Sequence, residues 1–160
     1  MIRAARPDDV AAIYGLIRDL AEYERSLPEV SGTEEQLRAA LFGPAPAVFA
    51  HVAEHEGGIG GFALWFLNFS TWQCRHGIYL EDLYVRPELR GHGYGRLLLA
   101  ELAAVCVQRG YGRLDWAVLN WNEPSIGFYR SLGAVALDDW STFRLTGQAL
   151  ADVAASRSDR

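Results

Sequence analysis

The sequence runs to 160 residues, half of them hydrophobic and 22% charged, the proportions of an ordinary folded domain with enough chain to bury a core. A formal net charge of −5 excludes broad, sequence-independent nucleic-acid binding, which needs clustered Lys and Arg, and is compatible with a cationic substrate. No stretch reaches membrane-spanning length, "MIRAARPDDV" lacks the apolar core of a signal peptide, and Cys74 and Cys106 have no metal or redox spacing. The expectation is a cytoplasmic protein of one domain over 1–160, with two free thiols and neither nucleic acid nor membrane as a partner.

The elements follow in chain order. "IRAA" (2–5) reads as a short strand. Pro7 opens a helix, with Asp8 and Asp9 in its first turn and Val10, Ile13, Leu16, Ile17 and Leu20 at helical spacing. "TEEQ" (33–36) has the spacing of a capping box and starts a second helix that Gly43 and Pro44 close. Strands over about 47–54 and 59–69 form a hairpin at Gly57–Gly58, and a third strand covers about 77–85. A helix from Gly93 to Arg109 stops at Gly110. "RLDWAV" (113–118) is a buried strand, and "NEPSIGFYRSLG" (122–133) is a short helix capped by Asn122 and ended by Gly133. "AVAL" (134–137) and "STFRLT" (141–146) should pair as a closing hairpin, leaving about 147–160 as a polar, frayed tail. The fold class expected is α/β: a single mixed, mostly antiparallel sheet flanked by helices.

The stretch "EDLYVRPELRGHGYGRLLL" (81–99) puts three glycines between a strand and a helix. Glycine permits a curl in which bare N–H groups approach a phosphate, and the helix adds its unpaired first-turn N–H groups and the positive end of its dipole. A plain flexible turn is the competing reading. Arg96 and Leu97 after Gly95 do not supply the Lys-Ser/Thr of a Walker loop, and Arg96 stands where a dinucleotide fingerprint needs its third glycine. Arg90, Gly93 and Gly95 do satisfy Arg/Gln-x-x-Gly-x-Gly/Ala.

That pattern resembles the acyl-coenzyme-A loop of the GNAT N-acetyltransferases. "YLEDLYV" before it, "NEPSIGFY" after it and "AEYE" near the start are similar to the spermidine/spermine (diamine) and thialysine N-acetyltransferase branch, over about Ile2 to Leu145. The resemblance implies acetyl-CoA as co-substrate, a small-molecule primary amine as acceptor, a homodimer and no metal. It implies that Gly91, His92, Gly93, Tyr94, Gly95 and Arg96 hold the pyrophosphate, mainly through backbone. Leu83, Tyr84 and Val85 would pair with the pantetheine arm and acetyl carbonyl, and Asn122, Glu123, Pro124 and Ser125 would line the far side of the cofactor.

Acetyl transfer from a thioester to an amine needs a neutral amine, a stabilised oxyanion and a proton for the departing thiolate. A backbone N–H near Leu83 could serve the oxyanion. The resemblance assigns the acid to Tyr129, which also touches the cofactor; as a lone tyrosine it would be read as packing. Glu81 is the candidate base. A free ammonium near pKa ~10.4 and a free glutamate near ~4.3 make direct abstraction steeply uphill, so Glu81 would act through water or position the substrate. Asp82 would alternate onto the opposite face of a regular strand, so bringing both carboxylates to the substrate requires a bulge.

Further substrate positions implied are Tyr23, Glu24, Asp115, Trp116 and Ala117; a solvated helix end is an equal reading of Glu24. Trp72 has packing as its default role. His51 and His55, four apart in a strand, share a face without a third metal ligand. Arg25 directly after Glu24 opposes a polycation and could pair with a carboxylate, which ranks short diamines and thialysine-like amino acids above spermine. The alternatives are a protein or amino-acid N-acetyltransferase on the same scaffold, and a non-catalytic acyl-CoA-binding module.

Overall fold

The structure, a computed structural model, describes residues 1–158. The chain divides into two compact units, one over Met1–Leu119 and one from Asn120 onward.

The first unit is built on a five-stranded sheet in the order β1 (Ile2–Ala4), β2 (Phe49–His55), β3 (Gly58–Ser70), β4 (Arg75–Val85) and β5 (Leu114–Trp116). Every pairing is antiparallel except β4 with β5, so the mixed sheet expected from the sequence is present. Helix α1 (Val10–Tyr23) turns Ile13 and Leu16 onto Val52, Phe62, Leu64 and Tyr84, the apolar residues of one sheet face. Its entry is fixed by Asp9, which accepts from Arg3 Nη1 and from the Arg6 N–H, both at 2.7 Å. The Arg3 guanidinium holds the Asp9 carboxyl below its ordinary pKa. Helix α2 (Glu34–Phe42) starts at the anticipated capping box, in which Thr33 Oγ1 accepts from the Gln36 N–H and Gln36 Oε1 accepts from the Thr33 N–H.

Helix α3 (Tyr94–Arg109) buries Leu98, Leu99, Leu102 and Cys106. On β2, His51 alternates with Ala50 and Val52 of the α1 face and feels the charges of Glu101 and Arg109, which places α3 over the other face. Trp65 Nε1 donates to His51 Nδ1 at 3.1 Å, and burial pushes the imidazole pKa down. The hairpin at Glu56–Gly57 has positive φ at both residues, 49° and 79°, as a tight two-residue turn requires.

The second unit holds α4 (Glu123–Ser131) and α5 (Gly147–Ala155). Two expectations fail here. Residues 134–146 form no strand among the described residues, and Val135, Leu137, Phe143 and Leu145 stand exposed. Alternating apolar residues make a strand only where a ladder partner and a covered face accept them, and these have neither. The segment from 147 is not frayed: α5 forms over "GQALADVAA", rich in strong helix formers, with Gln148 Nε2 donating to Asp152 Oδ1 one turn on at 2.7 Å. A single helical turn follows at Ser156–Ser158, and the last two residues of the expected tail lie outside the described residues. No helix among the described residues is long and apolar enough to cross a membrane.

Candidate active site

The site begins with an irregularity in β4. Asp82 pairs with Leu64, yet the next pair along β3 joins Trp65 to Leu80, so Glu81 has no partner across the ladder. This is the bulge the carboxylate pair requires. It also resets the alternation. Tyr79 lies opposite Phe66 and thereby joins Asp82 and Tyr84 on the face that α1 covers, while Leu80 and Trp65 take the other face.

The same place ends the pairing with β5. Strand β5 pairs Leu114, Asp115 and Trp116 with Ile78, Tyr79 and Leu80 and stops, two residues short of the strand expected at 113–118. From Glu81 onward β4 pairs with no strand on that side among the described residues. The Arg86 N–H donates to Gly60 O at 2.9 Å, which makes Tyr84–Phe62 and Asp82–Leu64 hydrogen-bonded pairs in the antiparallel alternation. The N–H and C=O groups of Leu83 and Val85 therefore turn away from β3, toward the open side. Val85 O accepts from Arg90 Nε at 3.1 Å.

A turn at Pro87–Leu89 leads into the glycine loop. Gly91 and Gly93 have φ of 85° and 81°, a region that side chains disfavour, and Gly93 caps α3 without a side chain. The first helical bond runs from Leu97 N–H to Gly93 O. The N–H groups from Gly91 to Arg96 find no acceptor among the described residues. A Cβ on Gly91, Gly93 or Gly95 would meet nothing within 4 Å, so the loop surrounds open space. His92 and Tyr94 brace it: His92 Nδ1 lies 3.1 Å from Leu89 O, and the Tyr94 hydroxyl lies 2.8 Å from His55 Nδ1.

Three acidic residues converge on the bulge. Burial pushes the Asp82 carboxyl up to about 6, and the charges of Glu81 and Glu24 add to the rise. Burial also raises Glu24, at the end of α1, so it is not a fully solvated helix end. The Tyr79 hydroxyl is pushed up first by burial and then by Glu81 and Asp115. Asp115 is engaged by Arg113 Nε at 3.1 Å and Asn68 Nδ2 at 3.3 Å. Trp116 ends β5 half-buried and Ala117 follows it exposed.

In the second unit, the Asn122 side chain caps α4 by accepting from the Ser125 N–H, with Glu123 and Pro124 in the first turn. Tyr129 lies half-buried on this helix, its ring 5.5 Å from that of Phe128. Among the described residues no cluster of His, Cys, Asp and Glu could hold a metal ion.

The sequence model of the acetyltransferase (GNAT) family matches residues 12–134. The chain belongs to the GNAT acetyltransferase family. Its relatives include the thialysine N-epsilon-acetyltransferase of Bos taurus, 40% identical over 96% of each chain. An L-ornithine N5-acetyltransferase of Arabidopsis thaliana is 30% identical over 93% of this chain and 85% of its own. Among solved structures, an integron cassette protein from the mobile metagenome of V. cholerae superposes with a TM-score of 0.80 at 25% identity, covering 96% of both chains. This GNAT chain is therefore an enzyme, an N-acetyltransferase, and acetyl-CoA is the donor its family uses. The unpaired N–H groups around the open glycine loop fit a pyrophosphate, and the free edge of β4 fits an extended amide-bearing arm.

Three features around the bulge and the glycine loop are not legible in the sequence. Tyr79 was hidden because only the bulge moves it onto the face of Asp82. His55, which the sequence leaves without a third metal ligand, is the brace of Tyr94. Arg90 was read only as a motif letter; its guanidinium sits 5.4 Å from the Tyr23 ring and 5.5 Å from the Tyr84 ring.

Proposed function

We propose that this enzyme moves an acetyl group from acetyl-CoA to a primary amine of a small molecule, a diamine or a lysine-like amino acid, by direct attack of the amine on the thioester. The observation that carries the reading is the Glu81 bulge: it sets three acidic groups, Glu24, Glu81 and Asp82, beside the open backbone edge at Leu83. Carboxylates attract the ammonium form of the acceptor and hold it near the reacting carbon, while the Leu83 N–H donates to the oxygen that gains charge. Asp82, titrating near 6, is a better-matched proton acceptor than an ordinary aspartate. Glu81 positions the amine or relays its proton through water.

The relatives named for thialysine and L-ornithine support an amine-bearing small molecule as acceptor. Tyr129 is assigned as the acid that protonates the departing thiolate, on the strength of "NEPSIGFY", and Asn122–Ser125 as lining for the cofactor. The enzyme works as a homodimer in this reading, a second copy covering exposed apolar side chains such as Trp140 and Phe143. Light scattering at micromolar concentration checks that assembly, and a monomer would refute it.

The test is thiol release from acetyl-CoA with putrescine, spermidine, spermine, thialysine, lysine and a neutral monoamine. Turnover that rises well above the monoamine rate for at least one dicationic or zwitterionic acceptor is expected. Equal rates for all would remove the acidic cluster from substrate recognition.

A further inference from the structure

A cavity of about 240 Å³ opens at the edge of the sheet, between the end of α2, the β1–β2 pair and the last turns of α3. The ladder explains the space. His51 on β2 stands opposite Ala4 on β1 and Ala63 on β3, so neither neighbour in its row fills the surface beside the ring. Val105 and Arg109, four apart on α3, line that surface from above, and Leu41, Phe42, Phe49 and Trp65 supply apolar walls. Ala4 is part of the lining and is itself exposed, which leaves the cavity open to water at the sheet edge. The place is remote from the glycine loop: α3 runs 16 residues from Tyr94 to Arg109, about 24 Å at the helical rise.

Two polar side chains face this apolar space. His51 lines the cavity and is 8% exposed, and its Nδ1 accepts from Trp65 Nε1 at 3.1 Å. An indole N–H only donates, so the neutral imidazole carries its proton on Nε2. Burial keeps the ring neutral by lowering its pKa. The Nε2–H has no acceptor among the described residues. It is not sealed off either: the one fully enclosed side-chain polar atom without a partner among the described residues is Asn68 Oδ1. The Nε2 edge of this buried ring therefore opens onto the cavity. Arg109 is the one charged side chain of the lining, makes no ion pair among the described residues, and is near enough for its charge to act on the imidazole. Glu101, one turn before Val105 on the same face of α3, also acts on the ring but does not line the cavity. A donor held among apolar walls loses free energy until an acceptor reaches it, and a guanidinium beside it selects the sign of that acceptor.

We propose that this cavity is a second ligand site, for a small aromatic carboxylate. One carboxylate oxygen accepts from His51 Nε2–H and the other from the Arg109 guanidinium. The ligand's ring packs against Phe49 and Trp65, whose own rings lie 4.8 Å apart. A cation would meet Arg109 and find no anionic side chain in the lining. A phosphate dianion would bring one charge more than Arg109 neutralises. The volume is below the ~300 Å³ at which pockets for drug-sized ligands begin, which limits the body of the ligand to a single ring. An amine acceptor is excluded by the same argument of sign, so this site is additional to the transfer centre and stands whether or not the acceptor is the one proposed above.

The experiment is calorimetry and tryptophan fluorescence on the full chain with phenylacetate as probe, at saturating coenzyme A so that the cofactor site is filled. Phenylacetamide, phenethylamine and acetate are the comparisons. Phenylacetate should bind saturably, with one site per chain, and change the emission through Trp65. The neutral and cationic analogues carry the same ring and should bind roughly tenfold more weakly or worse, as loss of a charge-assisted pair does. Acetate, which has no ring, should give no measurable binding. Arg109→Gln should weaken phenylacetate by roughly tenfold on the same grounds. Ala4→Leu, at the exposed mouth, should fill the cavity and abolish binding. Both variants should keep the wild-type affinity for acetyl-CoA, which shows that they are folded and that the two sites are separate. Absence of saturable phenylacetate binding to the wild type would overturn the proposal. So would equal affinity for phenylacetamide, tighter binding of phenethylamine, or phenylacetate binding that neither variant diminishes. If a variant lost its fold, the ranking of the three aromatic probes on the wild type, with their competition for one site, would decide alone.

Discussion

His55 and Tyr94 are 39 residues apart in sequence, and their Nδ1 and hydroxyl oxygen lie 2.8 Å apart. Through this bond the β2–β3 hairpin holds the first residue of α3, and with it the glycine loop. His55 is a positioning residue in that arrangement. His55→Ala and Tyr94→Phe should each raise the KM for acetyl-CoA by about three- to tenfold, near the ~1 kcal/mol of one neutral hydrogen bond, with kcat nearly unchanged. Steady-state kinetics with the acceptor saturating checks this; a fall in kcat alone would point elsewhere.

The loop itself is best tested at Gly95. Its φ is not positive, so a side chain brings no backbone strain, whereas Gly93 at 81° would strain any replacement. A Cβ at Gly95 meets no protein atom within 4 Å and would project into the space assigned to pyrophosphate. Gly95→Val should keep the wild-type thermal midpoint within a few degrees while acetyl-CoA affinity drops by roughly tenfold or more, read by calorimetry. Unchanged affinity in the folded variant would remove the loop from the cofactor site.

Asp82 is expected to couple activity and stability with opposite signs. Its folded carboxyl titrates near 6 against an ordinary value of 3.8, so the folded state binds a proton more tightly than the unfolded state. Stability is therefore highest below the unfolded value and falls as pH rises through about 6. The loss at neutral pH is on the order of 2–3 kcal/mol for a shift of this size. Asp82→Asn should raise the midpoint of thermal unfolding at pH 7.5 and flatten its pH dependence between 4 and 7. The same change should abolish the limb near pH 6 in kcat/KM, measured with buffers across that range. An undisturbed limb would place the titrating group elsewhere.

Tyr129→Phe removes a proton and keeps a ring. Turnover should fall by roughly 10²-fold, within the range general acids contribute, with acetyl-CoA binding close to that of the wild type. Turnover within a few-fold of wild type across pH would make Tyr129 a packing residue.

The core and the loop were legible because they follow from local rules. Pro7 with Asp8 and Asp9, the Thr33–Gln36 capping box, Gly93 and Gly110 each signal an element end through backbone chemistry that needs no neighbour. The bulge at Glu81 was anticipated only as a condition, since an extra residue in one strand is defined by the strand opposite, and no periodicity along β4 reveals it. Residues 134–146 misled for the same reason in reverse: "AVAL" and "STFRLT" carry a strand pattern without a ladder to join. Arg90 shows a third limit. Its motif position was visible, but its stacking depends on Tyr23, which arrives from a helix 67 residues earlier.

Glu81 is supernumerary. The pairs on either side of it, Leu80 with Trp65 and Asp82 with Leu64, are in the register they would keep if the residue were absent. Excising that one position would close β4 into a regular ladder without moving an apolar side chain to a new face. The enzyme therefore carries a carboxylate that the packing of its sheet does not require. A single-codon deletion should yield a folded protein, as resistant to proteolysis as its parent and stripped of turnover. A strand one residue longer than its neighbour demands can exchange the side chain at that place without renegotiating its interior.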